Sequence, residues 1–364
     1  MNADRCMFVV SSLCIGGSEK KTVAIANRLA SRGWEIHLGV LGEPQDLLPA
    51  VAAGVNTLLL ARRRRIDRQA IGRLRAYLAK QRIARIWSVN QYPMLYARLA
   101  ARDLPFPVSQ IVGINTTDFY SFYEQMQMLL YAPMLRRMAT VVFGSTAQQE
   151  AWVRRYRLSA ARTTVIHNGV DLQYFATPVA SMARTRADTG LTLGMVAQFR
   201  PEKGHGILLD AIARLRREGV PVRLLLVGDG PELSAVQERA RRLELNGAVE
   251  FAGRTEDIRP YLASMDAFVL PSLAVETFSN AALEAMAVGL PVILSNIGGA
   301  SEMIADGDSG FLCPPGDAVA LTLAIRRLMD PATRRAFGAA AQARVAAQFS
   351  VDAMVQRYEE VLRC

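Results

Sequence analysis

The stretch VETFSNAALEAMAVGLPVI, residues 275–293, decides how this chain is read. It passes through Ser279 and Asn280, runs into the helical pattern NAALEAMAV and closes on the apolar PVI. Serine and asparagine cap helices because their side-chain oxygens take up first-turn N–H groups. The stretch therefore predicts a helix that starts at Ser279 or Asn280 and turns its N-terminus towards an anion. Glu276 stands ahead of that start, and Glu284 follows eight positions later. Eight residues of regular helix rise roughly 12 Å, too far for two carboxylates to share one proton as an acid–base pair. Two carboxylates set a diphosphate's length apart suit two polyols, a sugar at Glu276 and a ribose at Glu284. The plainer alternative makes Glu284 an ordinary helix-surface residue.

Outward from that stretch, apolar β-branched runs alternate with helical patterns. Strands are expected at 7–12, 35–41, 84–89, 108–113 and 140–144, then at 191–197, 222–228, 248–253, 266–271, 291–295 and 310–313. Helices are expected at 17–32, 69–82, 206–218, 232–245 and 279–288. Strand–helix–strand alternation without hairpin signals implies parallel sheets covered on both faces. The alternation restarts after LQYFATPVASMARTRADTG, residues 172–190, which reads as a linker. The expected fold is α/β: two doubly wound domains in tandem, 1–171 and 191–345, facing a deep cleft. In such sheets ligands bind beyond the carboxyl ends of the strands.

Composition narrows the function. Residues 1–171 carry 23 Lys and Arg against 11 Asp and Glu, a net of +12, while residues 172–364 carry 20 against 22, a net of −2. Positive charge confined to one half suggests an anionic partner for that half, unless arginine is merely abundant. Cys6, Cys14, Cys313 and Cys364, with His37, His167 and His205, have neither disulfide nor metal-ligand spacing, which fits a reducing cytoplasm. CMFVVSSLCI near the start is short, lacks a basic flank and reads as a buried strand. No run of about 18 apolar residues is present to span a bilayer.

Two further loops carry candidate chemistry. In VVSSLCIGGSEKK a strand ends, Gly16 and Gly17 follow, and a helix begins. The glycines permit close approach to a ligand, and the helix N-terminus suits an anion. The spacing is neither a dinucleotide fingerprint nor a P-loop, and glycine also serves simply to turn. In GMVAQFRPEKGHG, Arg200 and Lys203 follow a strand. They are two solvated loop charges or a clamp for a diphosphate.

Together these stretches resemble a family, the retaining GT-B glycosyltransferases of the family 4 type, over nearly the whole chain and most strongly over 163–315. The carriers are GGSE, VIHNGVD, RPEKG, LLLVGDGP, PSLAVETFSNAALEAMAVGLPVI (with its E-x7-E pair) and GDSGFLCPPGD, in this order. The resemblance implies two Rossmann-like domains, the first binding acceptor and the second the nucleotide sugar. It also implies a C-terminal helix within 346–364 that returns to the first domain. Arg200 and Lys203 would bind the diphosphate and stabilise charge on the leaving phosphate, and Glu276 would contact the transferred sugar. Gly16 and Gly17 would let the first domain's loop approach the donor. Phe278, Ser279 and Asn280 would lend backbone groups, Glu284 would hold the ribose, and Gly253 and Arg254 would lie near the base. No metal and no other cofactor is expected, because cations and a helix N-terminus serve the leaving group. Asp306–Asp308 (DGD) resembles a metal-binding pair but falls inside a G-x-x-G-F-L turn.

The chain departs from the family pattern at two places. Ser279 stands where many relatives have glycine. Asn115, in VGINTTDFY, occupies the place of a histidine near the transferred sugar. Asparagine can bond a hydroxyl or phosphate oxygen but cannot carry a proton at neutral pH. The departing phosphate would then accept the acceptor's proton.

The resemblance makes a uridine nucleotide the expected donor. RRRR at 62–65 and YSFYEQMQMLLYAPMLRRMA at 120–139 set cations beside aromatic and methionine surface. That suits an anionic or lipid-linked saccharide acceptor and docking on the inner face of a membrane; a solvated charge run beside a core helix is the alternative. Rival functions are a sugar-nucleotide epimerase or hydrolase and a basic nucleic-acid-binding protein. No aromatic stacking platform accompanies the basic residues, so no nucleic-acid partner is expected.

Overall fold

The structure, a computed structural model, describes residues 4–115, 122–177 and 190–364. Most of the expected linker, the NTTDFY segment beyond Asn115 and the first residues of the 120–139 segment lie outside the described residues. The chain divides into two compact units, Met1–His167 with Met354–Cys364, and Asn168–Ala353.

The first unit is built on seven strands: β1 (Arg5–Val10), β2 (Glu35–Val40), β3 (Asn56–Leu59), β4 (Arg85–Val89), β5 (Ser109–Ile114), β6 (Thr140–Phe143) and β7 (Thr163–Val165). All pair in parallel, in the order β3-β2-β1-β4-β5-β6-β7. Central strands such as CMFVV in β1 are apolar throughout because helices cover both faces, and their side chains are buried. The edges explain what the sequence pattern concealed. β3 is largely exposed and β7 is three half-buried residues, so neither has the apolar run that marks a strand.

The second unit carries six strands: β8 (Leu191–Val196), β9 (Val222–Val227), β10 (Val249–Gly253), β11 (Ala267–Leu270), β12 (Val292–Ser295) and β13 (Gly310–Cys313). They are again all parallel, in the order β10-β9-β8-β11-β12-β13. All six were expected from the sequence. In both sheets the order reverses beside the first strand, between β1 and β4 and between β8 and β11. Connections there leave on opposite faces and open a crevice at the carboxyl ends, where doubly wound sheets hold ligands.

The last helix, Val351–Arg363, carries the chain back to the first unit. Tyr358 is buried with its ring centroid 4.5 Å from that of Trp87. Glu359 accepts from Trp34 Nε1 at 3.0 Å and pairs with Arg32 at 3.1 Å. Among the described residues no helix is long and apolar enough to cross a membrane.

Candidate active site

In the second unit the switch-point loops are those after β8 and β11, and they are fastened to each other. The Leu273 N–H donates to the Glu202 carbonyl at 2.7 Å. Gly204, at φ +75°, sits so close to Pro271 that a Cβ would collide with the Pro271 carbonyl oxygen. Only glycine meets both conditions. This fastening brings Lys203 to Glu276: Nζ donates to Oε2 at 2.7 Å, with both side chains partly exposed. The Ser272 hydroxyl donates to the same oxygen at 3.1 Å. Both bonds fall on Oε2, so Oε1 keeps its accepting capacity.

Glu276 is held on a strained loop. Val275 precedes it at φ +54°, a left-handed conformation that costs a β-branched residue about 1–2 kcal/mol. Gly298 backs the loop at φ +56°, where a Cβ would strike the Glu276 carbonyl oxygen, and the Gly299 N–H donates to the Thr277 carbonyl at 2.8 Å.

Helix Asn280–Ala287 begins directly after this loop, with Ser279 as its cap. Ser279 Oγ accepts from the Ala282 N–H at 3.2 Å, so one lone pair of the hydroxyl serves the helix. The Phe278 ring is buried against Phe349, with centroids 5.2 Å apart, and its carbonyl accepts from Asn168 Nδ2 at 2.8 Å. Glu284 is half-buried one turn further along. Arg200 opens the β8 loop with its side chain largely exposed, 3.9 Å from Glu202. Gly253, at φ +72°, ends β10, and Arg254 follows exposed. The second unit thus sets Arg200, Lys203, Glu276 and a helix N-terminus at the carboxyl ends of two central strands, with cations and a partial positive charge suited to phosphate. Within it, His205 stacks on Phe199 at 4.2 Å. Burial and the neighbouring Lys203 push its imidazole down to about 4.

In the first unit Gly16 precedes helix Gly17–Ser31 without a side-chain cap. A Cβ on Gly16 would run into the Glu19 carboxylate. Asn115, at the end of β5, reaches this helix: its Oδ1 accepts from Lys21 Nζ at 2.7 Å and its Nδ2 donates to Ser18 Oγ at 2.6 Å. Its backbone N–H donates to Asn90 Oδ1 at 2.8 Å, and Asn90 itself stands at φ +66° after β4. Sequence reasoning singled out neither Ser272 and Gly298 nor Ser18, Lys21 and Asn90. The local signals, GG after a strand in SNIGGA and a half-buried lysine in the first turns of a helix, were present but ambiguous.

The arginine run is anchored by aromatic residues. Tyr92 and Tyr96 hydroxyls donate to the Arg65 carbonyl, and Arg62 lies over the Tyr92 ring at 5.1 Å. The Arg65 side chain interacts with Tyr131 of helix Phe122–Leu135. That helix buries Met128, Tyr131 and Leu135 and exposes Met126, Leu129 and Leu130.

Among the described residues no three His, Cys, Asp or Glu side chains lie together as a metal site. Asp306 accepts from the Leu312 N–H at 2.9 Å, as a turn residue does.

A family model described as glycosyl transferases group 1 matches residues 190–331, and one described as Glycosyltransferase Family 4 matches residues 15–174. The chain belongs to the family 4-type GT-B glycosyltransferases. Among curated relatives of this GT-B chain, N-acetyl-alpha-D-glucosaminyl L-malate synthase of Bacillus anthracis is 35% identical over 46% of this chain and 43% of its own. Phosphatidyl-myo-inositol mannosyltransferase of Mycolicibacterium smegmatis is 26% identical over 88% of this chain and 83% of its own. The chain spans about half the length of the curated relatives it matches first. Anabaena HepE, solved with UDP and glucose, shares the fold with a TM-score of 0.83 at 23% identity, covering 98% of both chains.

Proposed function

We propose that this glycosyltransferase moves a sugar, with retention and without a metal, from a nucleotide sugar to an anionic or lipid-linked saccharide. The observation that carries the reading is the Lys203–Glu276 pair beside the capped helix Asn280–Ala287. A diphosphate oxygen can take over the ammonium while a sugar hydroxyl takes the carboxylate, so one pair reads both parts of the donor. Arg200 and Lys203 then stabilise the charge that develops on the leaving phosphate, the role a metal would otherwise fill. Glu284 holds the ribose, and Gly253 and Arg254 lie by the base. The family resemblance adds Gly16, Gly17 and Asn115 as donor-binding residues. Without a histidine at position 115, the departing phosphate takes the acceptor's proton on the face where the new bond forms. Such front-face transfer keeps the anomeric configuration.

The UDP bound by HepE supports uridine as the base. The basic first unit supports a negatively charged acceptor, and the name of the phosphatidyl-myo-inositol mannosyltransferase supports a lipid-linked one. The arginine run and the exposed apolar residues of helix Phe122–Leu135 would hold such an acceptor at the inner face of a cytoplasmic membrane.

The deciding experiment is a thermal-shift screen against UDP, GDP, ADP and their sugar conjugates with EDTA present. A selective stabilisation by one base, lost in Arg200→Ala and Glu284→Ala, is the expected result. No shift from any nucleotide at saturation would overturn the donor site. Free sugar released without an acceptor would turn the reading towards a hydrolase.

A further inference from the structure

The loops after β8 and β11 meet at two places that flank one residue of each. Glu202 accepts from the Leu273 N–H, and Gly204 lies against the Pro271 carbonyl. The residues between, Lys203 and Ser272, both donate to Oε2 of Glu276, at 2.7 and 3.1 Å. A carboxylate paired with an ammonium only accepts, so the serine supplies its single hydrogen to this bond. The two donors differ in how far they can leave. The Lys203 side chain is 22% exposed and ends a flexible stem that an anion can draw away. Ser272 is 1% exposed, and its backbone neighbours are fastened on both sides. Val275 and Gly298 shape the backbone at Glu276, but they leave its side-chain torsions to these two bonds.

We propose that Ser272 is a positioning residue: its hydroxyl keeps hold of Glu276 Oε2 when a diphosphate draws Lys203 away, so that Oε1 remains available to a hydroxyl of the sugar. This deepens the proposed function and rests on it. Once the ammonium turns to the diphosphate, the carboxylate stands near a second negative charge, and like charges repel. A carboxylate on free torsions would swing out of the site. The Ser272 hydroxyl opposes that movement with a hydrogen bond to a charged group, which is stronger than one between neutral groups. Lysine and serine therefore divide the work: the first is handed to the phosphate, and the second stays with the carboxylate.

The test compares UDP with UDP-glucose, both of which Anabaena HepE holds in solved structures, by titration calorimetry on the full chain. Ser272→Ala is expected to weaken UDP-glucose about tenfold, the weight of one hydrogen bond to a charged group. UDP has no sugar, and its binding is expected to stay within twofold of wild type. Ser272→Thr, which keeps the hydroxyl, is expected to retain most of the UDP-glucose affinity. In a Glu276→Ala background Ser272→Ala is expected to add nothing, because its effect passes through the carboxylate. Should the thermal-shift screen select another base or sugar, that nucleotide sugar and its diphosphate replace this pair. Equal losses for the diphosphate and the nucleotide sugar, unchanged binding in Ser272→Ala, or additive effects of the two substitutions would overturn the proposal. A readout that needs no ligand is the carboxyl carbon resonance of Glu276 in glutamate-labelled protein. Ser272→Ala is expected to move it, and an unmoved resonance would overturn the hold on Glu276. If wild type binds no nucleotide while that resonance still moves, the function has failed and the hold stands.

Discussion

Lys203 Nζ and Glu276 Oε2 lie 2.7 Å apart, although 73 residues separate them in the chain. One ends the loop after the first strand of its sheet and the other follows the fourth, so the pair marks the point where the strand order reverses. Each end is partly exposed, and a ligand with an anionic group beside a hydroxyl can bond the ammonium and the carboxylate in place of each other. Lys203→Ala and Arg200→Ala are expected to lower kcat by roughly 10²–10³, the usual loss when one donor to developing charge is removed. Both positions are partly or largely exposed, so stability should change by less than about 1 kcal/mol. Steady-state kinetics paired with denaturant unfolding separates the two effects. A kcat within threefold of wild type would remove these cations from the chemistry.

The sequence disclosed this half of the site better than the other, for identifiable reasons. RPEKG and PSLAVETFSN place charge and caps directly after apolar strands, and the charged side chains Arg200, Lys203 and Glu276 stay at least partly exposed at the strand ends. The partners behind them were hidden. Gly298 matters because of where the Glu276 carbonyl lies, a tertiary fact that no spacing encodes. Lys21 meets Asn115, 94 residues away, in a contact that no local pattern encodes. Strands β3 and β7 escaped because an edge strand needs neither length nor an apolar face.

Gly298→Ala tests whether the Glu276 loop is held from behind. The substitution forces an L-residue into φ +56° and drives its Cβ into the Glu276 carbonyl. Gly247→Ala is the control: it also has positive φ, +73°, but meets open space. Each should lose about 1–2 kcal/mol of stability from the backbone conformation alone. Only Gly298→Ala should also weaken nucleotide-sugar binding, by roughly tenfold, about 1.4 kcal/mol. Titration calorimetry with UDP-sugar provides the comparison. Equal binding in the two variants would show that the loop keeps its shape without Gly298.

Acid stability of the second unit is expected to depend on His205. Its Nδ1 is buried without a hydrogen-bond partner, and burial, with the Lys203 charge, holds the imidazole at about 4 against an ordinary 6.5. The unfolded chain takes up this proton more readily than the folded one. The contribution is therefore complete above about pH 6.5 and is lost as pH falls towards 4, by at most about 3 kcal/mol. His205→Phe keeps a ring against Phe199 and removes the titration. Urea unfolding at pH 7, 6, 5 and 4.5 should show a shallower decline in the variant. Parallel declines would mean that other groups carry the acid sensitivity.

The arginine run and helix Phe122–Leu135 make a claim about surfaces that kinetics alone would miss. Arg63, Arg64 and Arg65 are exposed, Ile66 follows them at 58% exposure, and Leu129 stands at 69% on the helix that Arg65 meets through Tyr131. Basic residues near an anionic bilayer are worth about 1 kcal/mol each, and exposed leucines add apolar burial in the interface. Vesicles with a third of anionic phospholipid should therefore sediment this protein, and neutral vesicles should not. Changing Arg63, Arg64 and Arg65 together to glutamine should weaken that binding by about 10², and raised salt should do the same. Leu129→Gln with Leu130→Gln should weaken it at any salt, because apolar burial is not screened. Loss with the arginines but not with the leucines would mean a purely electrostatic contact, and would leave the basic face to a charged acceptor instead of a bilayer.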